Sequence, residues 1–193
     1  RRLWGLARYF TINISSPNTP GLRALPPRAA LEALLGRLAE ARAALPAAGL
    51  VTLFLKVAPD LEVGEVESIV EVVVAHGLSG IMVSNTTVSR PALGSRFAGE
   101  PGGLSGAPLT ALSTAVLRDF AQAASGRMAL VGVGGLGSGA DAYAKIRAGA
   151  CAVQLYSALV FEGPGLVTRI KRELAGLLRA DGFASIDEAI GAT

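Results

Sequence analysis

Polar and glycine residues gather at five points in this sequence, and each point closes a short apolar run. Asn13-Ile14-Ser15-Ser16-Pro17-Asn18-Thr19 follows the first run, Lys56-Val57-Ala58-Pro59-Asp60 the second, and Ser84-Asn85-Thr86-Thr87 the third. Gly132-Val133-Gly134-Gly135 and Tyr156-Ser157 close the fourth and fifth. Each has an ordinary structural use. Ser-Ser-Pro-Asn-Thr is turn chemistry, and Asn85-Thr86-Thr87 can satisfy backbone groups and cap the segment that follows. Lys56, directly after five buried-looking residues, is either a side chain that snorkels to the rim or a functional residue at the strand end. The glycines are more specific. They let backbone N–H groups approach a phosphate, and a helix starting near Ser138 would add its N-terminal dipole. Gly134-Gly135-Leu136-Gly137 lacks the dinucleotide spacing, so a mononucleotide phosphate fits better.

Other chemistries are excluded by residue counts. One histidine and one cysteine cannot build a Cys/His zinc site or an intrachain disulfide. His76 precedes its nearest apolar run, which puts it at the opposite edge from Ser16 and removes a Ser-His-Asp triad. Cys151, among Ala150, Ala152 and Val153, reads as core packing. The net charge of +3 is scattered, with no basic stripe interleaved with aromatics, so no nucleic-acid partner is expected. No apolar run approaches the roughly 18 residues of a membrane helix.

Five short apolar runs, Tyr9–Ile14, Val51–Leu55, Gly80–Val83, Ala129–Val133 and Ala152–Leu155, read as buried parallel strands. Helical periodicity follows them. Leu31, Leu34, Leu35 and Leu38 mark the first helix, and Val63 to Val74 the second. Leu109, Leu112, Val116 and Phe120 mark the third, Tyr143 and Ile146 the fourth, and Leu166, Ile170, Leu174 and Leu177 the fifth. Ser185-Ile186-Asp187-Glu188 opens a short terminal helix with a capping box. Alternation of this kind predicts parallel strands with right-handed crossovers. It leaves open an open doubly wound sheet or part of a (β/α)8 barrel, which takes about 250 residues when complete. Either way the ligand sits at the carboxyl ends of the strands. All five polar points fall on that edge, and folding alone does not require such a coincidence.

Taken together, the motifs resemble those of the dihydroorotate dehydrogenases. The resemblance rests on Asn13 through Arg23, Leu55 through Leu61, Ser84 through Pro91, Gly102-Gly103-Leu104-Ser105-Gly106, Gly132-Val133-Gly134-Gly135 and Gln154-Leu155-Tyr156-Ser157, in family order. It runs from about Tyr9 to Ala192. It implies a (β/α)8 barrel holding FMN, with the strands here standing as the fourth to the eighth. It also implies one FMN-binding barrel domain over residues 1–193 whose N-terminal part lies outside this sequence, which opens Arg1-Arg2-Leu3-Trp4 directly into an apolar segment. Such a piece, with exposed sheet edges, is expected neither to fold stably nor to bind FMN alone.

Class 1 members carry a cysteine where Ser16 stands and class 2 members a serine, so the resemblance is to the quinone-dependent class. It implies oxidation of dihydroorotate to orotate in pyrimidine biosynthesis, with FMN taking the hydride and a quinone the electrons. Ser16 would remove the C5 proton. A serine is a poor base at its free pKa, so its proton must be passed on, by way of water and Thr19. Asn13, Asn18, Asn85 and Thr86 match orotate-binding positions. Asn13, Lys56, Ser84, Gly106, Gly135, Tyr156 and Ser157 match FMN contacts, with Lys56 beside the flavin pyrimidine ring; Ser84 and Ser157 replace the threonine common in relatives. Membrane contact is implied only through the N-terminal region: peripheral on the inner membrane, at its cytoplasmic side in a bacterium or in the mitochondrion of a eukaryote. The alternatives are another FMN-dependent dihydropyrimidine oxidoreductase and an inactive truncated fragment.

Overall fold

The computed structural model describes residues 3–17, 28–45, 51–91 and 93–192. Five strands form one sheet: β1 (Tyr9–Asn13), β2 (Thr52–Val57), β3 (Gly80–Val83), β4 (Ala129–Val133) and β5 (Ala152–Gln154). Each pairs in parallel with the next in sequence, in the order β1-β2-β3-β4-β5. A doubly wound sheet reverses its strand order at a switch point. This sheet never reverses, so it is part of a barrel wall, as the resemblance implied.

Between the strands run α1 (Arg28–Ala43), α2 (Glu65–Ala75), α3 (Thr110–Ala124) and α4 (Gly139–Arg147); α5 (Ser157–Glu162), α6 (Gly165–Ala180) and α7 (Ile186–Ala189) follow β5. Their apolar stripes cover one face of the sheet. Leu31 and Leu35 of α1, Ile69, Val70, Val72 and Val73 of α2, and Val116, Leu117 and Phe120 of α3 join Leu55, Val57, Ile81, Val83 and Leu130 in one buried cluster. A second cluster under α4 and α6 holds Leu136, Ala142, Leu166 and Ile170. Ser185 caps α7, its Oγ accepting from the Glu188 N–H while the Glu188 carboxylate accepts from the Ala184 N–H. The expected capping box is therefore realised one residue upstream on its return arm.

Three expectations need correction. Lys56 does not follow its strand but lies inside it, because β2 extends through Val57. Successive side chains of a strand alternate faces. With Leu55 and Val57 buried under the helices, Lys56 falls on the opposite face, the barrel interior. Cys151 is exposed, not core: it precedes β5, which pairs with β4 alone among the described residues, and its Sγ lies 3.3 Å from the Leu130 carbonyl. Finally, Tyr156-Ser157 is not merely a strand tip. It opens α5, a helix too short to show in apolar periodicity. His76 caps the C-terminus of α2, half-buried, with Nδ1 2.9 Å from the Val72 carbonyl.

Candidate active site

The first three strand tips are tied into one network. Register sets Asn13 of β1 beside Lys56 of β2, and Lys56 beside Met82 of β3. The chain then turns at Ile14-Ser15, where Ser15 is buried. Its hydroxyl lies 2.9 Å from Asn13 Oδ1 and 3.0 Å from the Lys56 carbonyl, and accepts from Asn85 Nδ2 at 3.1 Å. Asn13 Oδ1 also accepts from the Ser15 N–H at 3.2 Å and from Asn85 Nδ2 at 3.4 Å. These donors converge on one oxygen, so the Asn13 amide is oriented with its NH2 directed elsewhere, as a donor. Asn85 is fixed in the same way: its Oδ1 accepts from the Thr86 N–H at 2.8 Å. Burial of the Lys56 ammonium holds its pKa below the ordinary lysine value.

The third tip is laced to both neighbours. The Ser84 N–H donates to the Val133 carbonyl at 3.0 Å and the Asn85 N–H to the Val57 carbonyl at 2.8 Å. The Val83–Ser84 peptide is cis. Beyond it, Thr87 Oγ1 and the Val88 N–H both donate to the Asp60 carboxylate. Arg90 donates to the carbonyls of Thr87, Glu100 and Gly102, drawing the long loop closed behind Thr86. That closure brings Gly103 against the site. A Cβ there would stand 1.8 Å from Thr86 Oγ1, 2.5 Å from Thr86 Cβ and 2.9 Å from Pro17 Cγ. Only a glycine allows that approach. It also means that Pro17, adjacent to Ser16, and Thr86 flank one point in space.

From Lys56, Ser84, Asn85 and Thr86 a cavity of about 700 Å³ runs to Gly134-Gly135 and to Tyr156-Ser157. This volume lies in the range of small-molecule and cofactor sites. At its far end Gly135 has φ +71° and Gly134 φ +100°, left-handed conformations open to glycine. Their carbonyls are held outward by α3: Thr110 Oγ1 donates to Gly135 O at 2.6 Å and Ser113 Oγ to Gly134 O at 3.0 Å. In a trans peptide the N–H points opposite to the preceding C=O. The Gly135 N–H is therefore turned away from Ser113. The α4 N-terminus, expected to face a phosphate, is already taken. The Gly139 N–H donates to Glu173 at 2.7 Å, the Gly137 N–H to Asp141 at 3.1 Å, and Ser138 Oγ accepts from the Asp141 N–H. The helix that begins on the cavity wall is α5, at Tyr156-Ser157.

Of the residues singled out in the sequence, Lys56, Ser84, Asn85, Thr86, Gly106, Gly135, Tyr156 and Ser157 line this cavity. Asn13 joins it through Asn85. Ser16 is half-buried on the same tip, one residue after Ser15. Asn18 and Thr19 lie outside the described residues. Sequence reasoning missed Ser15, the hub of the network, and Ser113, Thr110 and Lys145, which support the glycine turn. Lys145 carried a signal: it stands three residues after Ala142 and beside Ile146, both buried, on the inner stripe of α4.

A family model for dihydroorotate dehydrogenase matches residues 1–178 of this chain. The dihydroorotate dehydrogenase (quinone) of Parvibaculum lavamentivorans is 56% identical over 193 residues, covering 100% of this chain and 54% of its own length. That of Sphingopyxis alaskensis is 56% identical over 187 residues, covering 97% of this chain and 52% of its own. The chain thus spans about half the length of the curated relatives it matches. Among solved structures, ligand-free DHODH from Eimeria tenella superposes with a TM-score of 0.93 at 38% identity, covering 97% of this chain and 56% of that one. No helix among the described residues is long and apolar enough to cross a membrane. A non-reversing parallel sheet, glycine and amide tips on one edge, and a family match over nearly the whole sequence agree: the chain belongs to the dihydroorotate dehydrogenase family.

Proposed function

We propose that this chain carries the reacting face of a quinone-dependent dihydroorotate dehydrogenase, oxidising dihydroorotate to orotate with FMN bound in the cavity. One observation carries the proposal: Asn13, Ser15, the Lys56 carbonyl and Asn85, from three strand tips, share one hydrogen-bond network, and Lys56 and Asn85 line a cavity that runs to a glycine turn. The residues fit the flavin. The half-buried Lys56 would sit by its pyrimidine ring, and Gly135, Tyr156 and Ser157 would hold its phosphate, with Gly106 and Ser84 along the wall. When bound, FMN supplies the acceptor for the hydride leaving C6 of the substrate.

The chain's own residues do the rest. Asn13, Asn18, Asn85 and Thr86 bind the pyrimidine edge, whose alternating donors and acceptors suit uncharged amides and hydroxyls. The network orients two of those amides before the substrate arrives, so their ordering is not paid for on binding. Ser16, beside Pro17 and across from Thr86, takes the C5 proton and passes it on through water and Thr19. Lys56 stabilises negative charge that develops on the flavin ring. Quinone binding and peripheral attachment to the inner membrane belong to segments outside residues 1–193, and residues 1–193 form part of a single FMN-binding barrel domain. A substrate screen tests the proposal. The protein at its full natural length should bleach its flavin with dihydroorotate and not with dihydrouracil; the reverse preference would overturn it.

A further inference from the structure

Among the described residues, Lys145 is the charged side chain that is wholly buried. Its Nζ donates to Ser113 Oγ at 2.7 Å and to Thr114 Oγ1 at 3.2 Å. Ser113 Oγ in turn reaches the Gly134 carbonyl at 3.0 Å, with the Thr110 carbonyl at 3.2 Å as a second acceptor. The stem of Lys145 packs under β4, where a Cβ on Gly132 would stand 3.0 Å from Lys145 Cδ. So a buried ammonium sits directly beneath the glycine turn that closes the cavity, joined to it by one hydroxyl.

A buried charge requires compensation. Ser113 and Thr114 are neutral. Asp141, one turn earlier on α4, acts on Lys145 only through space, its carboxylate being engaged by Gly137 and Ser138. The other charged groups near these elements are turned elsewhere. Arg118 and Asp119 of α3 and Asp187 and Glu188 of α7 are exposed, Glu173 of α6 accepts from Gly139, Arg169 reaches the Gly137 carbonyl, and Arg147 pairs with Asp181. Among the described residues the ammonium's hydrogen-bond partners are thus two neutral hydroxyls, with Asp141 as the one opposing charge that acts on it.

We propose that Lys145 is a positioning residue for the phosphate of the bound nucleotide: its ammonium, acting through Ser113 on Gly134, holds the glycine turn and supplies the buried positive charge that a phosphate dianion answers. This rests on the flavin mononucleotide reading above. The two charges are linked: protonated Lys145 favours the phosphate, and the phosphate favours protonated Lys145. Burial lowers the Lys145 pKa to about 8, with Asp141 opposing the fall. Phosphate affinity is therefore full below that pH and declines above it.

The test compares FMN with riboflavin, which lacks the phosphate, by fluorescence titration of the full-length apoprotein between pH 7 and pH 9.5. The flavin ring titrates alike in both ligands, so the affinity ratio isolates the phosphate. The ratio is expected to fall by about tenfold across that range in the wild-type protein, equal to one pKa unit of coupling. In Lys145→Met it should be about tenfold lower at pH 7 and flat with pH. Ser113→Ala should lower it while leaving a slope. A wild-type ratio independent of pH, or a Lys145→Met protein with the wild-type ratio and slope, overturns the proposal while leaving the flavin reading intact. Binding of neither flavin overturns both. Since the wild-type profile decides alone, a Lys145 variant that fails to fold does not rescue the idea.

Discussion

Gly103→Ala is the most revealing single change, because its effect follows from distance alone. The new Cβ would lie 1.8 Å from Thr86 Oγ1 and 2.5 Å from Thr86 Cβ. Rotating the Thr86 hydroxyl away clears the first contact but not the second, so the backbone of one loop must move by about 1 Å or more to reach van der Waals distance. Pro17 Cγ, at 2.9 Å, blocks retreat toward the first strand tip. Overpacking of this kind costs about 1–3 kcal/mol. Placed between Thr86 and the Ser16 turn, it should appear as roughly a 5- to 150-fold rise in KM for dihydroorotate. Flavin should stay bound, because Gly135, Tyr156 and Ser157 lie at the other end of the cavity. The assay is steady-state kinetics on the full-length protein, with flavin content and thermal unfolding as controls. An unchanged KM in a flavin-loaded Gly103→Ala protein would refute the placement of Thr86 and Pro17 around the substrate.

Further outcomes follow from the same geometry. Ser16→Ala should keep flavin but slow its reduction by about 10²- to 10⁴-fold, the usual worth of a positioned proton acceptor, with Ser16→Cys partly restoring it; stopped-flow absorbance reads this. Lys56→Met should slow flavin reduction by about 10²-fold without weakening orotate binding, and because burial lowers the Lys56 pKa, the wild-type rate should decline at a lower alkaline pH than an exposed lysine would give. Phe120, wholly buried among the helices and strands, should cost about 3–5 kcal/mol on truncation to alanine, measured by denaturant unfolding. Lys145 gives a stability signature in the flavin-free protein. Its folded pKa of about 8 lies below the ordinary 10.5, so the unfolded chain binds more protons between those values. Stability should therefore rise with pH over that window, by up to about 3 kcal/mol relative to Lys145→Met, and a wild-type stability that stays level or falls relative to Lys145→Met contradicts the burial.

What the sequence disclosed and what it withheld divide along sequence separation. β3 and β4 were readable to the residue, since their short length and the glycines and polar tips that bound them favour a buried strand over a helix segment. The end of β2 was not: a lysine looks like a boundary, yet Lys56 continues the strand because its side chain falls on the interior face while Leu55 and Val57 fall on the other. Periodicity could not choose between a barrel and a doubly wound sheet; strand order did. The α4 N-terminus was misjudged because its occupant, Glu173, comes from 34 residues away. The Gly103–Thr86 approach and the Ser15 hub are likewise long-range. Cys151 looked like core because its neighbours are small and apolar, but it precedes a strand that pairs on one side only among the described residues.

The most direct test of Ser16 as the acceptor of the C5 proton is anaerobic flavin reduction with dihydroorotate deuterated at C5 or at C6. With the serine turn, Thr86 and the flavin around one substrate, both positions should give primary isotope effects, and the C5 effect should change when Ser16 is replaced by cysteine. A C5 effect that is absent, or that is identical in the wild type and Ser16→Cys, would contradict it.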